Sequence, residues 1–262
     1  MPEKSSRRRV YFLSDLHLGA GYISDARAHE ARVTSFLRHI AADAVAVVLV
    51  GDVLDYWFEY RDVVPRGHVR FMGALAALTD AGIPVYWITG NHDIWSFGYL
   101  ADELGVKVVD SRMTASFLGS RFHIAHGDDL GRVPWTYRLL RGLFHNRICQ
   151  RMYASLHPRW TVGFARSWSR HSRAGQSEPT EASLRPTLEA LTEWARDYSS
   201  THPDIRYIIT GHLHVPYRKE VGEACELVVL GDWITRDSFA VFDGENLRLE
   251  HYDTTSNQFK EF

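Results

Sequence analysis

The chain has 262 residues, 45% of them hydrophobic, and its 30 basic and 32 acidic side chains leave a formal charge of -2. Such a length and composition can bury a substantial core as one domain with an insertion, and the near-neutral balance argues against nucleic acid as the main partner. Only two cysteines occur, Cys149 and Cys225, without metal or redox spacing, so both read as small hydrophobes in a reducing compartment.

Met1 to Arg9 is basic, but the apolar run after it stops at Ser14-Asp15, too short for a secretion signal. No stretch approaches the roughly 18 apolar residues of a membrane span. A cytoplasmic protein is expected. Val10 to Leu13 reads as a buried strand that ends at Ser-Asp-Leu-His, with Asp15 and His17. A helix pattern over Ala28 to Ala42 follows, then a strand from Ala46 to Val50 that ends at Gly-Asp, with Asp52. A second helix pattern, Gly67 to Ala81, leads to the strand Val85 to Ile88 and then Gly-Asn-His-Asp, Asn91 to Asp93. Phe122 to Ala125 ends at His-Gly-Asp with His126, and Tyr207 to Thr210 ends at Gly-His-Leu-His with His212 and His214.

Taken singly, each block has an ordinary explanation. Asp-x-His and Gly-Asp suit turns, Asn91 or Asp93 suits a helix cap, and alternate histidines suit a surface. Five of them in succession, each directly after a strand, imply a common purpose. Strand ends that lie side by side converge on one rim of a sheet, where open α/β sheets place ligands. Asp15, His17, Asp52, Asn91, His126, His212 and His214 mix imidazole nitrogen with hard oxygen, a set suited to manganese, iron or zinc rather than calcium. A dinuclear metal site is the reading they support.

Residues 130 to 177 differ from the rest: they hold Arg132, Arg138, Arg141, Arg147, Arg151, Arg159, Arg166, Arg170 and Arg173, and no acid. Trp135, Tyr137, Leu139, Leu140, Leu143, Phe144, Ile148, Met152, Tyr153 and Trp160 recur there at amphipathic helical spacing, broken near His157-Pro158 and Gly163. The segment is consistent with packing under a solvated basic face, with an anionic-lipid surface, or with single-stranded nucleic acid; the lipid reading is favoured because no basic groove extends beyond it. Glu178 to Ser200 reads as a helix with Leu184, Leu188, Leu191, Trp194 and Ala195 on one stripe. Glu226 to Tyr252 reads as short strands, turning at Asp243-Gly244, that complete a second sheet. Strands alternating with helices give an α/β fold.

The ordered blocks resemble the signature of the calcineurin-like metallophosphoesterases. The resemblance implies a β-sandwich flanked by helices, with one metal held by Asp15, His17 and His214, the other by Asn91, His126 and His212, and Asp52 between them. It implies a catalytic role for His92 at the phosphoryl oxygen or leaving group. Asp55 either orients that imidazole or caps a helix.

Across nearly its whole length the chain looks like the UDP-2,3-diacylglucosamine pyrophosphatases of lipid A biosynthesis, which share a helical lid after His-Gly-Asp and a Val-Leu-Gly-x-Trp close, here Val229 to Trp233. Gly51 to Tyr60, Gly-Asp-Val-Leu-Asp-Tyr-Trp-Phe-Glu-Tyr, is especially like the branch of Bacteroidetes-type bacteria. The resemblance implies a core of residues 1–129 and 200–262, a helical lid insertion over 130–199, and two divalent ions, manganese first with iron or zinc as alternatives. It implies cleavage of the lipid-linked nucleotide sugar to UMP and 2,3-diacylglucosamine 1-phosphate at the cytoplasmic face of the inner membrane, peripherally bound and without a protein partner. Asn91, Tyr137, Arg170, Ser172 and Arg173 fall where that family meets its substrate. One departure is His92, where the best-known members carry arginine: a lid arginine then supplies the phosphate clamp, or the substrate is a different phosphodiester or phosphomonoester. An interaction module that keeps metal without catalysis is the alternative from another class.

Overall fold

The computed structural model describes residues 8–163, 180–256 and 258–262. The first half alternates strand and helix: β1 (Arg9–Leu13), α1 (Ala26–Ile40), β2 (Ala44–Val50), α2 (Val69–Asp80), β3 (Val85–Ile88), α3 (Tyr99–Leu104) and β4 (Lys107–Val109). A hairpin of β5 (Arg112–Phe117) and β6 (Ser120–Ala125) precedes α4 (Trp135–His145) and α5 (Arg147–Ala154). After α6 (Glu181–Thr201) come β7 (Tyr207–Thr210), β8 (Pro216–Glu220), β9 (Glu226–Leu230), β10 (Ser238–Phe242), β11 (Leu247–Asp253) and β12 (Gln258–Glu261).

Local chemistry explains these boundaries. Strand β2, Ala-Val-Ala-Val-Val-Leu-Val, lacks polar alternation because both of its faces are covered. Helix α1 starts at Asp25, whose carboxylate accepts the Ala28 N–H at 2.8 Å, and buries Val33, Phe36, Leu37 and Ile40 at helical spacing. Arg38 and His39 in its last turn suit the negative end of the helix dipole. Helix α6 opens on a capping box between Thr180 and Ser183.

The strands form two sheets, ordered β12-β11-β10-β1-β2-β3-β4 and β5-β6-β7-β9-β8. Within the first, β1 to β4 are parallel, and within the second, β6, β7 and β9 are parallel. Val10, Phe12, Val48, Val50 and Ile88 of one sheet share a buried cluster with Phe122, Ile124, Ile209, Val228 and Leu230 of the other. Phe12 stacks on Phe122 with ring centroids 5.3 Å apart, and truncating such a ring to alanine costs about 3–5 kcal/mol. Helices α1 and α2 cover the outside of the seven-stranded sheet through Phe36, Leu37, Phe71 and Leu75.

One expectation changes. The C-terminal strands do not all complete a second sheet: β9 does, but β10 pairs antiparallel with β1 and carries β11 and β12 into the seven-stranded sheet. The chain crosses between sheets at Gly231 to Asp237, which the hydrophobic pattern of the strands does not encode. Helix α6 buries Leu188, Leu191 and Ala195 against Ala125, Ile208, Leu227 and Val229. Cys225 is buried in that same layer, and burial pushes its thiol up to about 11. Among the described residues, no helix is long and apolar enough to cross a membrane.

Candidate metal centre

Because β1, β2 and β3 run parallel, as do β6 and β7, the loops after their carboxyl ends meet at one rim. Backbone bonds lock these loops together: Asp15 N–H donates to Gly51 O at 3.1 Å, His17 N–H to Asp52 O at 2.9 Å, and Gly211 N–H to His126 O at 2.8 Å. Asp15, His17, Asp52, His212 and His214 adopt left-handed backbone, with φ of 54°, 43°, 51°, 68° and 58°. That region is unfavourable for residues with a Cβ and persists only where surrounding structure enforces it. Five of the seven expected ligands are therefore held in a backbone geometry that secondary structure alone does not explain.

Among the described residues the acids and imidazoles fall into three groups, of which two gather expected ligands, Asp15 with His17 and His214, and Asp52 with His126 and His212, while the third joins His17 to Asp55 and His92. Asp52 Oδ2 lies between the first two, 3.6 Å from His17 Nε2 and 3.3 Å from His126 Nε2. Asp15 Oδ1 is 3.3 Å from His214 Nε2, while its Oδ2 accepts the His212 N–H at 2.8 Å. Asp15, Asp52, His17 and His126 are almost wholly inaccessible to solvent.

These residues fit a pair of divalent cations. Asp15 Oδ1, Asn91 Oδ1 and His126 Nε2 are buried without a hydrogen-bond partner, an arrangement that costs free energy unless something else satisfies it. His126 Nδ1 donates to the Val50 carbonyl at 2.9 Å, which directs Nε2 into the cluster. Close packing leaves the loops no slack: a Cβ on Gly211 would overlap Ser14 Oγ and lie 2.6 Å from Asp15 Oδ2, and one on Gly90 would overlap Asp52.

The electrostatics are those of packed opposite charges. Burial opposes ionisation of Asp52, but the His126 and His92 imidazoles hold its carboxyl well below the usual carboxylate range. Burial likewise works against charge on His17, and the bonds to Asp15 and Asp55 overcome it, raising that imidazole to about 9. His126 is raised well above its ordinary value by Asp52, again against burial. His212, buried beside His126, is lowered.

His92 sits at the same rim. Its N–H donates to Asp52 Oδ1 at 3.0 Å, and its Nδ1 donates to the Asp55 backbone carbonyl at 2.8 Å. The Asp55 carboxylate is closer to His17 Nδ1, at 3.4 Å, than to His92 Nδ1, at 3.7 Å. No helix begins at Asp55, so the capping alternative has nothing to cap. Tyr137 reaches the rim through its hydroxyl, which donates to Asp128 Oδ2 at 2.9 Å. Arg170, Ser172 and Arg173 lie outside the described residues.

Three carboxylates to which the sequence reading gave no place in the centre support it. Asp93 Oδ1 accepts the Gly90 N–H at 2.7 Å, and Oδ2 accepts Val53 N–H and Trp87 Nε1 at 2.9 and 3.1 Å, stapling the Asp52 and Asn91 loops. Burial and the charge of Asp52 raise it to about 6. Asp232 organises its own loop through Ile234 and Thr235 N–H at 2.8 and 2.7 Å, and lies 4.0 Å from His214 Nδ1. Asp128, two residues past His126, anchors α4. Their sequence signal was membership of the blocks Gly-Asn-His-Asp, His-Gly-Asp and Val-Leu-Gly-x-Trp.

Residues 8–216 match the calcineurin-like phosphoesterase family. The chain belongs to that family. Among curated relatives of this phosphoesterase, the UDP-2,3-diacylglucosamine hydrolase of Porphyromonas gingivalis is 38% identical over 255 residues, covering 93% of this chain and 97% of its own. The enzyme of the same name from Ralstonia nicotianae is 30% identical, covering 86% and 83%, and that from Aeromonas hydrophila 28%, covering 92% and 97%.

Proposed function

We propose that this phosphoesterase hydrolyses the pyrophosphate of UDP-2,3-diacylglucosamine, releasing UMP and 2,3-diacylglucosamine 1-phosphate, with two divalent cations, manganese first. One observation carries the reading: Asp52 Oδ2 lies 3.6 Å from His17 of one cluster and 3.3 Å from His126 of the other, in a chain that aligns over almost its full length with hydrolases of that substrate. Asp15, His17 and His214 would hold one ion, Asn91, His126 and His212 the other, and Asp52 both. Two such cations, when bound, make a water nucleophilic near neutral pH and stabilise charge on the phosphoryl group.

The chain's own residues supply the rest. The Nδ1–H of His92 is committed to the Asp55 carbonyl, so Nε2 is the atom left for substrate. In its protonated form Nε2 donates to a phosphoryl oxygen or to the departing phosphate. The carboxylate of Asp55 steadies His17 from the side away from the cluster. Tyr137 brings its ring and hydroxyl oxygen to the rim, and Arg170, Ser172 and Arg173 are kept as proposed head-group contacts, an arginine among them taking the clamp that His92 does not provide.

Apolar substrate chemistry accounts for α4 and α5. Neither helix buries a residue, and Trp135, Leu139, Ile148 and Met152 are 74%, 68%, 67% and 67% exposed. An apolar face of that size beside arginines suits acyl chains and an anionic bilayer surface. On this reading the protein works at the cytoplasmic face of the inner membrane without spanning it. The test is UMP release from UDP-2,3-diacylglucosamine by purified protein with manganese, against hydrolysis of aryl phosphates. Preference for the lipid supports the proposal; turnover of aryl esters alone refutes the substrate.

A further inference from the structure

Helix α4 stays beside the metal rim although no residue of it is buried. Hydrophobic packing of its outer face, where Trp135, Leu139 and Leu143 stand exposed, does not explain that placement. Contacts on the other side do: Phe144 at the end of the helix packs its ring on Trp95 with centroids 5.4 Å apart, and a polar cluster holds the middle. Tyr137 and Arg141, one helical turn apart, both reach Asp128 Oδ2, at 2.9 Å from the hydroxyl and 3.1 Å from Nε. Arg141 then extends further: Nη2 donates to Ser111 Oγ at 2.8 Å and pairs with Asp129 at 3.4 Å. Arg112 also pairs with Asp129.

The two ends of this guanidinium touch two different loops of the site. Asp128 follows His126 by two residues, and its carboxylate is almost wholly buried. Ser111, held in left-handed backbone with φ of 63°, donates its N–H to Thr89 Oγ1 at 3.2 Å. Thr89 directly precedes Gly90 and Asn91. One planar cation thus joins α4 to the loop of His126 and, through Ser111 and Thr89, to the loop of Asn91.

We propose that Arg141 is a positioning residue that docks α4 on the metal rim and so holds Tyr137 beside it. It touches no reacting atom. The substrate class assumed here rests on the proposed function; the docking itself does not. A guanidinium suits the task because its fixed fork serves a carboxylate and a hydroxyl in different directions at once, which the single ammonium of lysine does not reproduce. Tyr137 shares the load, and its hydroxyl hydrogen is spent on Asp128, so it faces substrate as an acceptor.

The test compares Arg141→Ala and Arg141→Lys with Arg138→Ala, which removes the same charge from an exposed position of the same helix. Hydrogen exchange at the amides of residues 135–145 should quicken in Arg141→Ala, partly recover in Arg141→Lys and stay at the wild-type rate in Arg138→Ala, with β6 protected throughout. The kcat/KM for UDP-2,3-diacylglucosamine should fall in Arg141→Ala by roughly tenfold more than that for bis(4-nitrophenyl) phosphate. Unchanged exchange in α4, or equal losses on both substrates, overturns the proposal. If wild-type protein does not cleave the lipid, the proposed substrate fails by itself, and exchange in α4 still decides whether Arg141 docks the helix.

Discussion

The metal rim and the α4–α5 segment lie side by side but are held by opposite means. At the rim, ligands sit in strained left-handed backbone between two packed sheets, and buried carboxylates bind each loop to the next. Each strained residue costs on the order of 1–3 kcal/mol, which the surrounding core must offset. In α4 and α5 most large aliphatic side chains face outward, and attachment comes from one ionic cluster, the aromatic contacts of Phe58 and Trp95 with Tyr153 and of Trp95 with Phe144, and the hydrogen bond that Trp95 Nε1 donates to the Phe144 carbonyl. Chemistry that requires fixed atoms is placed in the rigid part. On the proposed function, recognition of a flexible amphipathic substrate falls to the part with least burial to lose.

That contrast can be broken at the rim first. Asp52→Ala removes the carboxylate that lies between the two clusters and should lower kcat by about a thousandfold or more while the circular dichroism stays native; appreciable retained turnover would remove Asp52 from the centre. Gly211→Ala comes next. Its Cβ overlaps Ser14 and crowds Asp15, so metal affinity should fall by about 10- to 100-fold with a lower melting temperature, and an unaffected affinity would show the loops to be slack.

Acid should act on the packed layers rather than on the insertion. His29 and His123 are both buried, and burial, with Arg32 beside the first and Arg112 beside the second, lowers each to about 4. Unfolded histidine titrates near 6.5, so between these values the unfolded chain binds more protons and stability falls as pH drops from about 6.5 toward 4. Melts at pH 7 and 5 check the sign, and His29→Gln should flatten the slope. A melting temperature that does not move with pH would contradict the buried neutral state.

The smallest effect on folding is expected from the outer face of α4. Leu139→Ser should change stability by less than about 0.5 kcal/mol, yet weaken binding to anionic vesicles and raise KM for the lipid several-fold. A large loss of stability would mean that this face is packed after all.

The two regions also differ in how far the sequence revealed them. Parallel strands and their following loops were legible because strand-length apolar runs end directly at Asp15, Asp52, Asn91, His126 and His212. The pairing of β10 with β1 was not, since register between distant strands leaves no local trace. Asp93 was read only as a possible helix cap and Asp128 only as the last letter of His-Gly-Asp, because the fold alone shows which N–H groups or side chains each accepts from. Asp55 was read either as a partner of His92 or as a helix cap; its carbonyl accepts from His92 Nδ1, and its carboxylate lies 3.4 Å from His17 and 3.7 Å from His92, a division that sequence does not encode. Arg141 was one of nine arginines between residues 130 and 177, indistinguishable until α4 placed it over Asp128.

The most direct test of the centre is titration of metal-stripped protein with manganese, following bound metal by mass spectrometry and phosphodiester hydrolysis together. Two ions bound per chain, with activity completed only as the second site fills, is the result these clusters demand. Full activity with one ion or none would contradict the dinuclear account.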